Sequence, residues 1–375
     1  MEISFFMNIV FITMDGARVD RIIKGKNYKE IISQSAFFPK VITYAPFTIS
    51  AMHAVFSGVY GFKNGVNSYW SNNNFKKEFY KTLPKFLKDT AYVTFGDSIN
   101  RLVLPSDGFD ELKIHDELND NLTERHKLLL EKMEKLKQSG KKFFLYLHYS
   151  NIHTGIMQEV LKKYDNFSEE YFSNKEKNSH FYDKLFNNAD EYLGEIINHF
   201  KNLGLDEDTL LVIISDHGIS IGEKFGERAY GVFCYDTTLI STALFCHPRI
   251  SPITVKNQVR SIDILPTILE LLSISHDKNY KEIDGISLMP LINGKEDKRI
   301  AFSQSGNPLN SGKPPKKPNV YAVRTDEWKY IKNIHNNTEE LYFLKDDPNE
   351  EINLINIEKE KSDEMRYQMN KILNS

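Results

Sequence analysis

A short apolar run that ends in polar and small residues constrains the fold of this chain more than any other feature. Residues 210–214 are all apolar, and the last three are β-branched. This pattern predicts a buried strand of a parallel sheet. The run is followed by Ser215, Asp216, His217 and Gly218, and open α/β sheets bind ligands beyond the carboxyl ends of their strands. The segment therefore predicts either half of a divalent metal site or a polar turn after a buried strand.

A second segment near the start of the chain has the same form. Residues 8–14 are largely apolar, and Asp15 and Gly16 follow them. Two strands that each end in Asp can place both carboxylates at one sheet edge, and Gly16 would allow a tight turn there. An Asp after a strand is also a common helix N-cap. We favour Asp15 as a ligand because Asp216 and His217 need further ligands to complete a metal site.

The residues around Thr48 predict a helix that ends near Gly58. Good helix formers occupy 51–56, and Gly is common just after a helix. Thr48 would then lie at the helix N-terminus, where free N–H groups and the positive end of the dipole suit phosphate. Beside a metal ion its hydroxyl would be a nucleophile, because a cation lowers the pKa of a bound hydroxyl. The alternative is that Thr48 is only an N-cap.

Several further segments resemble the alkaline phosphatase/sulfatase superfamily, on its sulfatase side. They include Asp284-Gly-Ile-Ser-Leu-Met-Pro-Leu291, and their order along the chain is that of the family. The similar segments extend through nearly the whole length, over 8–20, 48–66, 82–88, 108–110, 144–153, 182–190, 210–218, 263–272, 284–291, 321–331 and 340–354. The resemblance implies an α/β fold, in which a mixed, mostly parallel central sheet is sandwiched by helices and a small C-terminal antiparallel sheet follows. It also implies a catalytic domain over 1–300 and a C-terminal subdomain over 301–375.

The resemblance implies one tightly bound divalent metal ion, which would be Zn, Mn, Mg or Ca, and leaves a second metal site open. The metal ligands would be Asp15, Thr48, Asp216 and His217. Thr48 would also be the nucleophile, and His153 would bind a substrate oxygen or protonate the leaving group.

Four further residues are candidates for substrate binding: Arg18, Asn151, Lys224 and Arg228. Two-metal relatives carry an Asp at the place of Asn151, and an amide is the weaker ligand. For Arg18, Lys224 and Arg228 the alternative is a solvated or structural side chain, which is common for Arg and Lys. His53 and His148 are additional candidates for the site.

The segment at Thr48 departs from the sulfatase pattern in a way that decides the chemistry. Sulfatases form a formylglycine from Cys or Ser, normally with Pro two positions on and Arg four positions on. Here the corresponding residues are Thr48, Ser50 and Met52. Thr carries a methyl group on Cβ and cannot yield the same aldehyde. The leading hypothesis is therefore a metal-dependent hydrolase or transferase of phosphoric esters that forms a phospho-threonine intermediate.

Two other functions remain open as hypotheses. The first is a sulfuric ester hydrolase that acts without formylglycine, and the second is a catalytically silent relative that binds substrate. The presence of Asp15, Thr48, Asp216 and His217 together argues against a silent protein. The partner would be a small-molecule, glycan or lipid-head-group phosphate or sulfate ester.

Composition excludes several other classes of protein. The 375-residue chain has a formal net charge of −3, and it has no basic patch that would favour nucleic acid. The two cysteines, Cys234 and Cys246, form no disulfide framework pattern, which indicates free thiols in a reducing compartment. The sequence shows neither a signal peptide nor an apolar stretch long enough for a membrane span. We therefore expect a cytoplasmic protein, and the oligomeric state stays open.

Local patterns predict four elements outside the site. Residues 112–141 are predicted to form an amphipathic helix, and 305–318 a loop beside the site. Residues 320–354 contain three strand-like runs, and 358–373 a terminal helix.

Overall fold

A computed structural model describes residues 7–158, 169–227, 229–308 and 313–375. Within these residues a mixed sheet has the strand order β4-β3-β5-β1-β6-β7-β2-β8, and β9 pairs with β2. Its strands are β1 (Asn8–Met14), β2 (Ala36–Ile42), β3 (Tyr92–Ser98), β4 (Glu111–Ile114), β5 (Lys142–Tyr149), β6 (Thr209–Ile214), β7 (Ile240–Cys246), β8 (Ile253–Thr254) and β9 (Val259–Arg260). The second sheet is antiparallel and contains β10 (Ala301–Ser305), β11 (Val320–Arg324), β12 (Trp328–Asn333) and β13 (Thr338–Phe343).

Helices lie between the strands and at the end of the chain. They are α1 (Val19–Ile22), α2 (Lys26–Ile32), α3 (Thr48–Ser57), α4 (Gly61–Asn64), α5 (Leu83–Asp89), α6 (Leu122–Gln138), α7 (Asn151–Ile156), α8 (Glu169–Ser173), α9 (Lys175–Asn202), α10 (Asp236–Leu239), α11 (Ile264–Leu271), α12 (Met289–Ile292) and α13 (Lys359–Leu373). No helix in the described ranges is both long enough and apolar enough to span a membrane.

The alternation of side chains along β1 explains why helices cover both faces of the central sheet. Val10, Ile12 and Met14 pack on one face with residues of α2, α6 and α9. Ile9 and Phe11 pack on the other face with residues of α3, α5 and α11. Successive strand side chains point to opposite faces, so a continuously apolar strand is buried on both. Burial of each such large side chain contributes about 1.5–3 kcal/mol.

The register of the three central strands brings the predicted site residues together. Thr13 of β1 lies opposite Ile214 of β6 and His148 of β5 in two parallel pairings. Asp15 and Asp216 follow these positions, so both emerge at the same edge of the sheet. The predicted α/β class, with its mostly parallel central sheet and a separate antiparallel sheet, is confirmed.

One of the local predictions needs correction, and another is confirmed with one strand added. The helix predicted over 112–141 is wrong in its first part, because β4 occupies Glu111–Ile114 and pairs with β3. Helix α6 begins only at Leu122, where the Asn121 side chain accepts hydrogen bonds from the N–H groups of Thr123 and Glu124. This capping fixes the start of the helix. The three strands predicted over 320–354 are present, but β10 adds a fourth that the sequence analysis did not identify.

The end of the chain follows the prediction more closely. Helix α13 covers Lys359–Leu373, within the predicted 358–373. Strand β10 begins at Ala301, and Ser303 Oγ in it donates to the Thr43 carbonyl of the central domain at 2.6 Å. The division of the chain into 1–300 and 301–375 stays a prediction.

Candidate active site

Asp15 and Asp216 lie side by side where β1 and β6 end. Both side chains are buried. The Gly16 N–H donates to Asp216 Oδ1 at 3.1 Å, so the turn after β1 directly holds the carboxylate that follows β6. Gly16 has φ +74°, a left-handed conformation that a residue with a Cβ atom rarely adopts. The two strand ends therefore form one acidic cluster.

His217 directs its Nε2 toward this cluster. Its Nδ1 lies 2.9 Å from the Gly218 carbonyl oxygen, which can only accept a hydrogen bond. Nδ1 therefore carries the proton in the neutral ring, and Nε2 has a free lone pair. Nε2 lies 3.5 Å from Asp15 Oδ1 and 3.6 Å from Asp216 Oδ2. This tautomer is the one required for a metal ligand.

Thr48 is the first residue of α3, as predicted. Phe47 before it is extended, with φ −159°, and the helix ends at Gly58 in the left-handed region, with φ +66°. The Thr48 hydroxyl donates to Asp15 Oδ2 at 3.3 Å and lies 3.4 Å from His217 Nε2. The hydroxyl group thus lies among the proposed ligands.

His153, predicted to bind a substrate oxygen or act as an acid, lies close to the acidic cluster. It is carried by α7, and its Nδ1 lies 3.4 Å from Asp15 Oδ1. Asp15, His153 and His217 form a group whose ligand atoms converge closely enough to hold a metal ion. Burial opposes protonation of His153, but the carboxylate of Asp15 raises its pKa to about 8. His153 is therefore a candidate metal ligand as well as a candidate acid.

The donor atoms fit a divalent cation. Asp15 Oδ1 and Asp216 Oδ2 are buried and have no hydrogen-bond partner among the described residues. Burial and the charge of Asp15 raise the pKa of Asp216. Burial alone would raise the pKa of Asp15 as well, but His153 and His148 hold it well below its ordinary value. Two adjacent buried carboxylates beside an imidazole nitrogen are the ligand set that Zn, Mn or Mg binds in proteins.

Two of the four predicted substrate-binding residues, Arg18 and Lys224, contact other groups of the protein. The Arg18 side chain is 11% exposed and is ion-paired with Asp20 and Glu223, so its charge is neutralised within the protein. The Lys224 ammonium donates to the Glu350 carbonyl and lies 4.6 Å from the centre of the Tyr235 ring.

Of the remaining two predicted residues, the structure describes Asn151. Asn151 is exposed at the first position of α7. Arg228 lies outside the residues that the structure describes. Their roles in substrate binding stay predictions.

A cleft of about 280 Å³ opens above Thr48. It is lined by Thr48, Ile49, Tyr69, Ile99, Asn100, Val103, Glu117, His153, Met157 and Tyr230. Tyr69, Glu117 and Tyr230 were not predicted as site residues, because nothing in the local sequence pattern of their segments marks them. Among the lining residues that the structure describes, none is Lys or Arg.

Two other histidines have distinct places. His53 is buried, and its Nδ1 lies 2.8 Å from the Ile49 carbonyl oxygen within α3. It does not line the cleft. His148 Nε2 lies 3.0 Å from Asp15 Oδ2, and this contact orients the Asp15 carboxylate.

The fold and the site define a class: an α/β protein in which one edge of the central sheet carries a buried cluster of acids and histidine beside the Thr48 hydroxyl group. The Sulfatase family model matches residues 7–274, and the chain belongs to this family. A model described as "N-sulphoglucosamine sulphohydrolase, C-terminal" matches residues 232–375. Ester hydrolysis is the chemistry that this membership supports.

Curated relatives are similar over part of their length. Arylsulfatase K of Xenopus laevis is 29% identical over 200 residues, which are 52% of this chain and 36% of the relative. Choline-sulfatase of Rhizobium meliloti is 28% identical over 165 residues, which are 44% of this chain and 30% of the relative. The match thus spans about a third of the length of these relatives.

Solved structures share the fold over nearly the whole chain. A protein in complex with its substrate, D-glucosamine-2-N,6-O-disulfate, superposes with a TM-score of 0.74 at 15% identity, covering 98% of both chains. The phosphonate monoester hydrolase of Agrobacterium radiobacter superposes with a TM-score of 0.73 at 15% identity, covering 98% of this chain and 95% of that one. At such identities the likeness concerns the fold alone.

Proposed function

We propose that this chain is a metal-dependent hydrolase of phosphoric esters that uses Thr48 as its nucleophile. The proposal rests on one observation: Thr48, at the start of α3, places a hydroxyl group between Asp15 and His217. Thr cannot become formylglycine, but its hydroxyl can attack phosphorus. The substrate would be the phosphate ester of a small molecule, a glycan or a lipid head group.

Asp15, Asp216 and His217 would hold the metal ion, with Thr48 completing the ligand set. A divalent ion bound there would lower the pKa of the adjacent hydroxyl and offset negative charge on the phosphoryl group. The N–H groups of the first turn of α3 have no acceptor within the helix, and they would bind phosphoryl oxygens.

The reaction would proceed in two displacements. In the first, Thr48 Oγ1 loses its proton to water and bonds to phosphorus, while the bond from phosphorus to the ester oxygen breaks. His153 gives a proton to the leaving oxygen, and the product alcohol departs. In the second, a water molecule gives a proton to His153 and attacks phosphorus. The Oγ1–phosphorus bond breaks, phosphate leaves, and Thr48 regains a proton from water. If an alcohol attacks in place of water, the phosphoryl group is transferred to that alcohol.

Turnover by purified protein tests this mechanism. An aryl phosphate monoester, an aryl phosphate diester and an aryl sulfate are compared with Mn and with Zn. We expect phosphate-ester turnover that is lost in Thr48→Ala and partly kept in Thr48→Ser, because serine retains the hydroxyl. Sulfate turnover that survives Thr48→Ala would overturn the mechanism.

A sulfuric ester hydrolase is the second candidate function. Family membership and the names of the curated relatives favour it, and the same attack by Thr48 would apply to sulfur. Aryl sulfate turnover above aryl phosphate turnover, lost in Thr48→Ala, would select it. A silent relative would bind the metal ion, or the esters, without turnover of either class.

A further inference from the structure

The wall of the cleft above Thr48 is aromatic on two sides. The Tyr230 ring lies 5.2 Å from the His153 ring and 5.1 Å from the His217 ring, measured between centroids. Tyr69 stacks on Phe47, the residue before Thr48, at 4.3 Å. Both tyrosines therefore border the point at which the ester would react.

Backbone geometry at Gly231 keeps the two tyrosines together. A Cβ atom at this position would lie 2.8 Å from Tyr69 Oη, and the residue has φ +86°. Glycine thus lets the Tyr69 hydroxyl approach the backbone directly after Tyr230. The Tyr230 hydroxyl lies 3.3 Å from His153 Nε2 and 3.0 Å from Met157 Sδ, which fixes the second ring.

A carboxylate completes this wall at the mouth of the cleft. Glu117 lines the cleft, and its Oε2 accepts a hydrogen bond from Thr154 Oγ1 at 3.0 Å. Thr154 follows His153 in α7, so Glu117 is tied to the helix that carries a site residue. Glu117 is solvent-exposed, so it can meet a charged group that enters from water.

We propose that this cleft binds an ammonium group, so that the substrate is a small phosphoric ester of an amino alcohol. Tyrosine faces and a carboxylate attract alkylammonium ions, and quaternary ammonium ligands are commonly bound in this way. The phosphoryl group would lie at Thr48, and the ammonium group between Tyr69, Tyr230 and Glu117. The cleft volume of about 280 Å³ is at the low end for ligand sites, which suits a compact ester. This inference rests on the proposed function.

The test compares two esters that differ only in charge. Choline phosphate is compared with 3,3-dimethylbutyl phosphate, in which carbon replaces the quaternary nitrogen, and kcat/KM is measured for both. We expect about a tenfold preference for choline phosphate, the size of a partly desolvated cation–π and charge contribution. The preference should fall toward unity in Glu117→Gln and in Tyr69→Leu. It should persist in Tyr69→Phe, which keeps the ring, and in Glu124→Gln, where an exposed glutamate of α6 is changed.

The outcomes separate the inference from the proposed function. Turnover of both esters without preference would overturn the inference and leave the phosphoric ester hydrolase in place. Absence of turnover on every phosphate ester would overturn the proposed function. In that case, calorimetric binding of the two esters to the metal-loaded protein decides the inference, because equal affinities would contradict it. Phosphatidylcholine vesicles serve as a further arm, and turnover of these alone would identify a lipid head group as the source of the ammonium ester.

Discussion

His148 Nε2 lies 3.0 Å from Asp15 Oδ2, and both side chains are completely buried. The other ring nitrogen of His148 lies 2.9 Å from the Tyr146 hydroxyl. This pair of contacts fixes the Asp15 carboxylate, while Asp15 Oδ1 has no hydrogen bond among the described residues. Asp15 Oδ1 faces His153 and His217, where a metal ion would lie.

Replacement of His148 should therefore weaken metal binding without removing a ligand. Partners that orient ligating groups commonly contribute about 10–100-fold to metal affinity. We expect His148→Gln to raise the dissociation constant for Mn or Zn by about this factor, measured by titration calorimetry. The control is His180→Gln, at an exposed histidine of α9. Equal affinities in both variants would contradict the supporting role of His148.

The acidic cluster also predicts a dependence of stability on the metal ion. Asp15 and Asp216 are buried side by side, and repulsion between their carboxylates destabilises the metal-free fold. An ion at 100 times its dissociation constant would stabilise the fold by about 2.7 kcal/mol. We expect Mn or Zn to raise Tm in a thermal scan and a chelator to reverse the change. In Asp216→Asn the increase should be small, because one charged ligand is gone; an equal increase would place the ion elsewhere.

The sequence predicted that Asp15, Thr48, Asp216 and His217 lie close together because these residues follow local patterns. Asp15, Asp216 and His217 each end an apolar run, and parallel pairing then brings the runs together. Thr48 begins a helix whose end is marked by Gly58. These inferences need only periodicity and the geometry of a parallel sheet.

The residues that the sequence did not reveal depend on contacts between distant segments. Tyr69, Glu117 and Tyr230 meet only because three separate loops converge above Thr48. The ion pairs of Arg18 also depend on tertiary placement, although Asp20, two residues further on, was a local signal.

A buried ion network joins the C-terminal sheet to the central domain and carries a third prediction. Lys329 of β12 is fully buried, and its Nζ lies 2.9 Å from Asp236 Oδ1 and 2.7 Å from Glu350 Oε1. Lys329→Met would leave two buried carboxylates with less compensation, at a cost of about 3–5 kcal/mol. The control, Lys332→Met on the same strand, should change stability by about 0.5 kcal/mol or less. Urea unfolding at pH 7 compares them, and similar midpoints would contradict the prediction.

His53 predicts how stability depends on pH. Burial lowers the pKa of His53 from 6.5 to about 4, against the opposing contact with the Ile49 carbonyl oxygen. The unfolded chain therefore takes up a proton at a higher pH than the native protein does. The contribution of His53 to stability is complete above pH 6.5 and is lost as the pH falls toward 4.

Between pH 6.5 and about pH 5, this loss amounts to about 2 kcal/mol, at 1.36 kcal/mol for each pH unit. The measurement is the free energy of unfolding in urea across this range. In His53→Leu the side chain cannot titrate, so the curve should be flatter than that of the wild-type protein by about this amount. The exposed-site variant His180→Leu should keep the wild-type slope. Parallel curves for the wild-type protein and His53→Leu would show that burial in α3 does not lower the pKa of His53.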